Sequence, residues 1–294
     1  MPWTEKDIPA LDGKTAVITG ANSGLGLAAA TVMAKHGARV IMACRNAAKA
    51  EAAAEVVRKT STGPVEVIAL DLGSLASIDA CASTLLREEQ SLDLLLNNAG
   101  LMAIDEARTE DGFEMQIGVN HLGHFALTAK LYPLLASTPG ARVVNHSSMG
   151  HRPGRLRVDD LSFERRRYAR WPAYFQSKLA NLLFTLELHR RGVKALGAHP
   201  GASRTDLGHE GTGWTNVVMK PLQGILTQPA SMGCLPFVRA AVDPSAPSGA
   251  FYGPLFVYAG PPRRETPSRR ARNTADARAL WEKSEELTGV RFAI

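Results

Sequence analysis

Tyr174 and Lys178 stand four residues apart in the run Ala173-Tyr174-Phe175-Gln176-Ser177-Lys178-Leu179-Ala180-Asn181. Leu179, Leu182, Leu183 and Leu186 keep a helical apolar spacing around them, so phenol and ammonium are expected on one helix face, one turn apart. An ammonium beside a phenol stabilises phenolate and lowers the tyrosine pKa towards working pH. A proton donor to a carbonyl, or acceptor from an alcohol, requires that. Alone, such a pair is ordinary helix surface. A second chemical feature lies near the N-terminus, where Thr19-Gly20-Ala21-Asn22-Ser23-Gly24-Leu25-Gly26 joins the β-branched run TAVIT to the Ala-rich LGLAAATVMAKH. Glycines at 20, 24 and 26 permit a tight turn and let the backbone approach a pyrophosphate, whose charge then faces the positive end of the following helix. In such sites the residue closing the second strand meets the adenosine ribose, and an acid there favours NAD. Here that place reads Cys44-Arg45-Asn46. It has no carboxylate, and the planar fork of Arg45 suits a 2′-phosphate, so NADP(H) is expected in preference to NAD(H).

Strand-like and helix-like segments alternate and would position these groups. Strands are predicted at 15–19, 39–44, 65–70, 92–96, 142–145 and 193–198, with a last one around 250–258. Helices are expected between them, one capped by Asn46 and one closed by Gly37. About seven strands in this rhythm predict an α/β fold with a doubly wound, mostly parallel sheet and helices on both faces. Two segments break the rhythm. Residues 149–171 are Arg-rich without apolar periodicity, while 201–229 combine glycines with Leu207, Trp214, Val217, Val218, Met219 and Ile225, which suits a lid with an apolar inner face. Residues 273–287 read as a terminal helix.

The composition bounds the rest. With 294 residues, 45% hydrophobic and 21% charged, the chain can bury one large core, which excludes disorder and a disulfide-stapled scaffold. The net charge of +6 is concentrated in 152–170 and 263–272. Neither stretch shows the interleaved aromatics of a stacking platform, so no nucleic-acid partner is expected. Three separated cysteines without a CxxC spacing give no metal site and fit a reducing cytoplasm. Residues 15–34 and 221–238 lack charge, but their glycines or prolines argue against a membrane span.

In chain order, TGANSGLG, Asn97-Asn98-Ala99-Gly100, Asn120 in Val119-Asn120-His121, Ser147-Ser148, Tyr174-x-x-x-Lys178 and Pro200-Gly201 resemble the short-chain dehydrogenase/reductase family. The resemblance runs from about Gly13 to Leu287. VNHLGHF, SKLANLLFTLEL, HPGASRTDL and LWEKSEEL are similar to its retinol dehydrogenase-like and protochlorophyllide reductase-like branch, as a soluble bacterial-type member. The resemblance implies one Rossmann-type domain over 1–294, with a cofactor half of about 13–145 and a catalytic and substrate half of about 146–294. It implies a tetrad in which Tyr174 is the acid/base and Lys178 binds the nicotinamide ribose. In it Ser148 holds the substrate oxygen and Asn120 anchors a water linking Lys178 to solvent. Gly20, Asn22, Ser23, Gly24, Leu25 and Gly26 would hold the cofactor with Arg45. Asp71 and Leu72 would meet the adenine, Asn98, Ala99 and Gly100 would line the cofactor, and Pro200, Gly201 and Thr205 would close over the nicotinamide. Neighbouring strand-end residues point to opposite sides, so Ser147 is expected to face away from the site.

No N-terminal membrane anchor of the kind many vertebrate retinol dehydrogenases carry is expected, since Glu5, Lys6 and Asp7 stand where an apolar segment would be needed, and the expected substrate is a lipophilic alcohol with its aldehyde or ketone. A homo-oligomer through the long helices bearing Asn120 and Tyr174 is implied by the same resemblance. His146 departs from the branch, which more often places an apolar residue there; it is expected either to be a satisfied strand-end histidine or to alter the pocket. A hydrolase is disfavoured, because His146-Ser147-Ser148-Met149-Gly150 lacks the first glycine of a Gly-x-Ser-x-Gly elbow. The alternative is a non-catalytic dinucleotide-binding regulator of the same fold, although a sensor has no need of a tuned phenol.

Overall fold

The apolar run Thr15–Thr19 is buried along its whole length, as a strand covered by helices on both faces must be. This strand, β1, sits inside a sheet of eight strands in the order β3-β2-β1-β4-β5-β6-β7-β8. The others are β2 (Arg39–Cys44), β3 (Val65–Ala69), β4 (Leu94–Asn97), β5 (Arg142–His146), β6 (Ala195–Ala198), β7 (Phe251–Pro254) and β8 (Pro262–Glu265). The computed structural model describes residues 2–202 and 228–294. Pairing is parallel from β3 through β7, and β8 returns antiparallel to β7.

Helices α1 (Gly24–Lys35), α2 (Ala47–Arg58), α3 (Leu75–Glu88), α4 (Gly123–Ser137), α5 (Arg170–Arg190), α6 (Leu235–Val242) and α7 (Thr274–Thr288) cover the two faces. One apolar cluster joins α1, α2 and α6 to the sheet through residues such as Met33, Ala54 and Phe237. A second joins α3, α4 and α5 through Ile78, Phe125 and Phe184. Asn46 caps α2 by accepting the Lys49 N–H at 2.9 Å, and Gly37 closes α1 at φ +99°. α7 lies along α5; Trp281 is buried and joins Phe125, Phe184 and Phe292 in an aromatic group.

The predicted strands are present, 15–19 and 39–44 with the expected ends and the others with an end shifted by one to a few residues; the last stops at Pro254 instead of reaching 258. β8 was not expected. Its sequence PRRE exposes Arg263 and Arg264, which a sheet edge tolerates and an apolar pattern cannot reveal. Residues 149–171 hold short turns at Met149–His151 and Val158–Asp160, with Arg170 and Trp171 already in α5.

The strand order reverses between β1 and β4, which opens a crevice at their carboxyl ends. The catalytic side is reached through a helical turn at Met115–Ile117 and a π-helical turn at Gly118–Leu122, which leads into α4. After β6, Gln228 N–H donates to Ala202 O at 2.9 Å, so the chain departs and returns at hydrogen-bonded neighbours. The Gln228 amide also donates to Pro200 O at 2.9 Å and accepts from Gly260 N at 3.1 Å. The expected lid falls almost wholly outside the described residues.

Candidate active site

The Gly-rich turn folds back on itself at the crevice. Gly20 has φ +64°, and a Cβ on Gly26 would stand 2.4 Å from Gly20 O and 2.5 Å from Asn98 Nδ2, so neither position accepts a larger residue. Thr19 Oγ1, at the end of β1, accepts the N–H groups of Asn98 and Ala99 at 2.9 and 3.0 Å. Asn98 Nδ2 donates back to Thr19 O at 2.9 Å. These bonds join the ends of β1 and β4.

Beside them lies a cavity of about 730 Å³. The expected cofactor residues Gly20, Asn22, Ser23, Gly24, Leu25, Gly26, Arg45, Asp71, Leu72, Asn98, Ala99 and Gly100 all line it. It also takes in Asn46, Lys49 and His146, which sequence reasoning left out of the cofactor set. Lys49 was legible: it follows Arg45 by four residues, in the first turn of α2. Arg45 and Lys49 are both exposed.

Ser148, Tyr174 and Lys178 meet beyond β5. Tyr174 and Lys178 are buried in α5, with the ammonium 5.7 Å from the centre of the phenol ring. The Ser148 hydroxyl neighbours the Tyr174 phenol, and its oxygen accepts Gly150 N–H at 3.1 Å. Ser147 points the other way and donates to Lys178 O at 2.8 Å, which fixes the start of the lysine side chain.

Burial pushes the Tyr174 phenol up to about 12, with the bond to Ser148 pulling the other way, and pushes Lys178 down to about 8. This corrects the expectation that the lysine draws the phenol towards neutral pH. Both groups are withdrawn from water, and desolvation disfavours the charged form of each.

Asn120 occupies the π-helical turn. Its Oδ1 accepts Leu101 N–H at 2.7 Å, and its Nδ2 donates to Leu101 O at 3.0 Å and Ser177 Oγ at 2.9 Å. The amide thus clamps the strand-end loop to α5. A water held by Asn120 would find both Nδ2 hydrogens in use, leaving the second lone pair of Oδ1 or the main-chain carbonyl oxygen, which His124 Nδ1 approaches at 3.1 Å. A Cβ on Gly100 would lie 3.1 Å from both Asn120 Oδ1 and Lys178 Nζ, so the glycine lets these groups flank the loop.

Pro200 and Gly201 follow β6, one strand beyond Ser148. Gly201 has φ +68°, and its N–H donates to His199 Nδ1 at 3.1 Å. Neither residue lines the cavity described above, and Thr205 lies outside the described residues.

Residues 14–215 match the family model for short chain dehydrogenases. The chain belongs to the short-chain dehydrogenase family. It is 38% identical to human retinol dehydrogenase 13 over 291 residues, covering 95% of this chain and 86% of that protein. With human retinol dehydrogenase 12 it shares 41% identity over 299 residues, with 96% and 88% covered. Among solved structures, an uncharacterised protein from Mycobacterium paratuberculosis superposes with a TM-score of 0.84 at 44% identity, covering both chains in full. A short chain dehydrogenase from Escherichia coli CFT073, solved in complex with NADPH, gives 0.65 at 25% identity and covers 83% of this chain and 97% of its own. The chain is thus a retinol dehydrogenase-like oxidoreductase of a family that uses nicotinamide dinucleotides. Among the described residues no helix is long and apolar enough to cross a membrane.

Proposed function

We propose that this dehydrogenase is an NADP(H)-dependent enzyme that interconverts a lipophilic alcohol and its aldehyde or ketone, with Tyr174 as the acid/base. The observation that carries the reading is the meeting of Ser148 with the buried Tyr174 and Lys178 at the end of β5, in the same sheet whose β1 leads into the glycine cradle. The cradle fits a pyrophosphate, since any Cβ at Gly20 or Gly26 would meet backbone. Arg45 and Lys49 at the end of β2 fit a 2′-phosphate, with no carboxylate among residues 44–46 to repel it. The NADPH complex of the bacterial relative supports the same choice. This allots cofactor binding chiefly to residues of about 13–145 and the chemistry to about 146–294.

The nicotinamide supplies or accepts the hydride. Ser148 donates a hydrogen bond to the substrate oxygen. Tyr174, whose proton is held firmly by burial, gives it to that oxygen in reduction and regains it in oxidation. Lys178 keeps its cation close to the phenolate formed in reduction, so its attraction acts when negative charge appears. Ser147 and Asn120 hold Lys178 and the Leu101 loop in register.

The names of the human relatives make retinol-like alcohols natural first substrates, within a wider panel of lipophilic aldehydes, ketones and quinones. The three cysteines are buried and unpaired, and burial pushes the Cys81 and Cys234 thiols up to about 12, which suits a cytoplasmic setting. The test is substrate-dependent oxidation of NADPH across that panel, compared with binding alone. Tight NADPH binding without turnover on any member favours the regulator reading.

A further inference from the structure

His146 ends β5 after the buried apolar pair Val143 and Val144, and is itself buried. Its ring stacks on Phe237 of α6 with centroids 5.2 Å apart, and its carbonyl accepts the Asn181 amide at 2.9 Å. Its Nδ1 lies 3.1 Å from Asn98 Oδ1. The position of the proton follows from Asn98. That amide donates through Nδ2 to Thr19 O, so its oxygen faces the histidine, and a carbonyl oxygen can only accept. Nδ1 therefore carries the hydrogen. Burial, reinforced by Lys178, His199 and His124, holds His146 well below its ordinary pKa, which leaves a single proton on the ring at neutral pH.

We propose that His146 is a positioning residue of the dinucleotide site, its Nδ1–H pinning the Asn98 amide that shapes the Gly20 turn. The proposal rests on the dinucleotide reading and deepens it. Turned over, the Asn98 amide would set its oxygen against the oxygens of Thr19 and Gly20, which Nδ2 now faces at 2.9 and 3.5 Å. Nδ2 would also be the atom met by any bulk at Gly26. The histidine removes that alternative by giving Asn98 Oδ1 its own donor. This accounts for a polar ring in a place where an apolar side chain would serve packing equally well.

Three substitutions separate the donor from the ring. His146→Asn keeps an N–H near the Nδ1 position, His146→Gln moves it outward towards Nε2, and His146→Phe keeps the stack without a donor. Dissociation constants for NADPH and NADH are read by fluorescence titration, with thermal midpoints as the control for folding. The Asn variant is expected within about twofold of wild type. The Gln and Phe variants should bind both cofactors about tenfold more weakly, the factor that one hydrogen bond commands. Nitrogen-15 spectra of histidine-labelled protein without cofactor should show Nδ1 protonated and Nε2 bare from pH 6 to 8. An Nε2-protonated ring overturns the proposal, as does an Asn variant no better than Phe, or Gln and Phe variants indistinguishable from wild type. Failure of the wild type to bind either dinucleotide would instead remove the functional reading, while the nitrogen spectra still decide whether the pin exists.

Discussion

The two ends of the proposed site are built on opposite plans. At the end of β2, Arg45 and Lys49 stand in solvent on flexible stems. Around the end of β5, Tyr174, Lys178, Asn120 and His146 are buried, and the Asn120 amide and the His146 ring are tied by hydrogen bonds to Leu101, Ser177 and Asn98. Charge in water is screened and tolerates displacement, whereas a polar group in a low-dielectric site acts strongly and only in one geometry. On the proposed reading, the open end would grade affinity and the closed end would decide whether a proton moves.

The largest effect should come from the closed end. Tyr174→Phe is expected to lower turnover by about 100-fold or more while cofactor affinity stays within a few-fold. Steady-state kinetics with a fluorescence titration decide this, and near-normal turnover would falsify the acid/base role. Ser148→Ala should lose most activity as well. Ser147→Ala should act mainly on stability, because its buried hydroxyl bonds Lys178 O; a loss of about 1 kcal/mol in urea unfolding is the expected scale. The opposite ranking of the two serines in kcat would mean that the strand register has been misread.

The open end should respond by smaller steps. NADPH is expected to bind about tenfold or more tightly than NADH, at the lower end of what charge-assisted contacts can give because both cations are exposed. Arg45→Ala should erase most of the preference and Lys49→Ala part of it, with NADH almost untouched. Raised salt should weaken NADPH more than NADH. Equal wild-type affinities for the two cofactors would break the contrast between the ends.

Acid tests the closed end by a different measure. Burial pushes His121 down to about 3 and His124 and His151 down to about 4, so each stays neutral in the fold while the unfolded chain protonates near 6.5. The unfolded state then binds more protons between about pH 6.5 and 4, and stability falls as pH falls through that window. From pH 6.5 to 5.5 the loss should be about 1 kcal/mol for each histidine. Urea unfolding at the two pH values checks it, and a flat profile would show that these rings are wetter than described.

The turn at Gly20 and the pair Tyr174 and Lys178 were legible because each is a local pattern, written within one strand-to-helix junction or one helical turn. The bond between His146 and Asn98 spans 48 residues and exists only because β4 and β5 pair side by side. No spacing announces it. The clamp of Asn120 on Leu101 depends on a π-helical turn, for which the sequence carries no periodic signal. The pKa of Tyr174 depends on how much water α5 excludes, and helix spacing is silent on that. β8 was hidden by its own arginines. A subunit interface through α4 and α5 was expected by analogy. The face of α5 along which α7 lies is already covered by the chain's own tail, so sedimentation of the full chain against a variant ending at residue 272 would show whether that cover excludes a second copy.

The bond from Gln228 to Ala202 joins the two sides of the chain after β6. It works as a clasp: whatever stretch of polypeptide runs between these residues begins and ends at the same two points, whichever residues it contains. Lengthening such a loop costs little, about 0.6 kcal/mol for each doubling. The Gln228 side chain meanwhile holds Pro200 and Gly260 in place from outside the stretch. The polypeptide on either side of residues 203–227 is therefore held together without reference to that segment's own sequence.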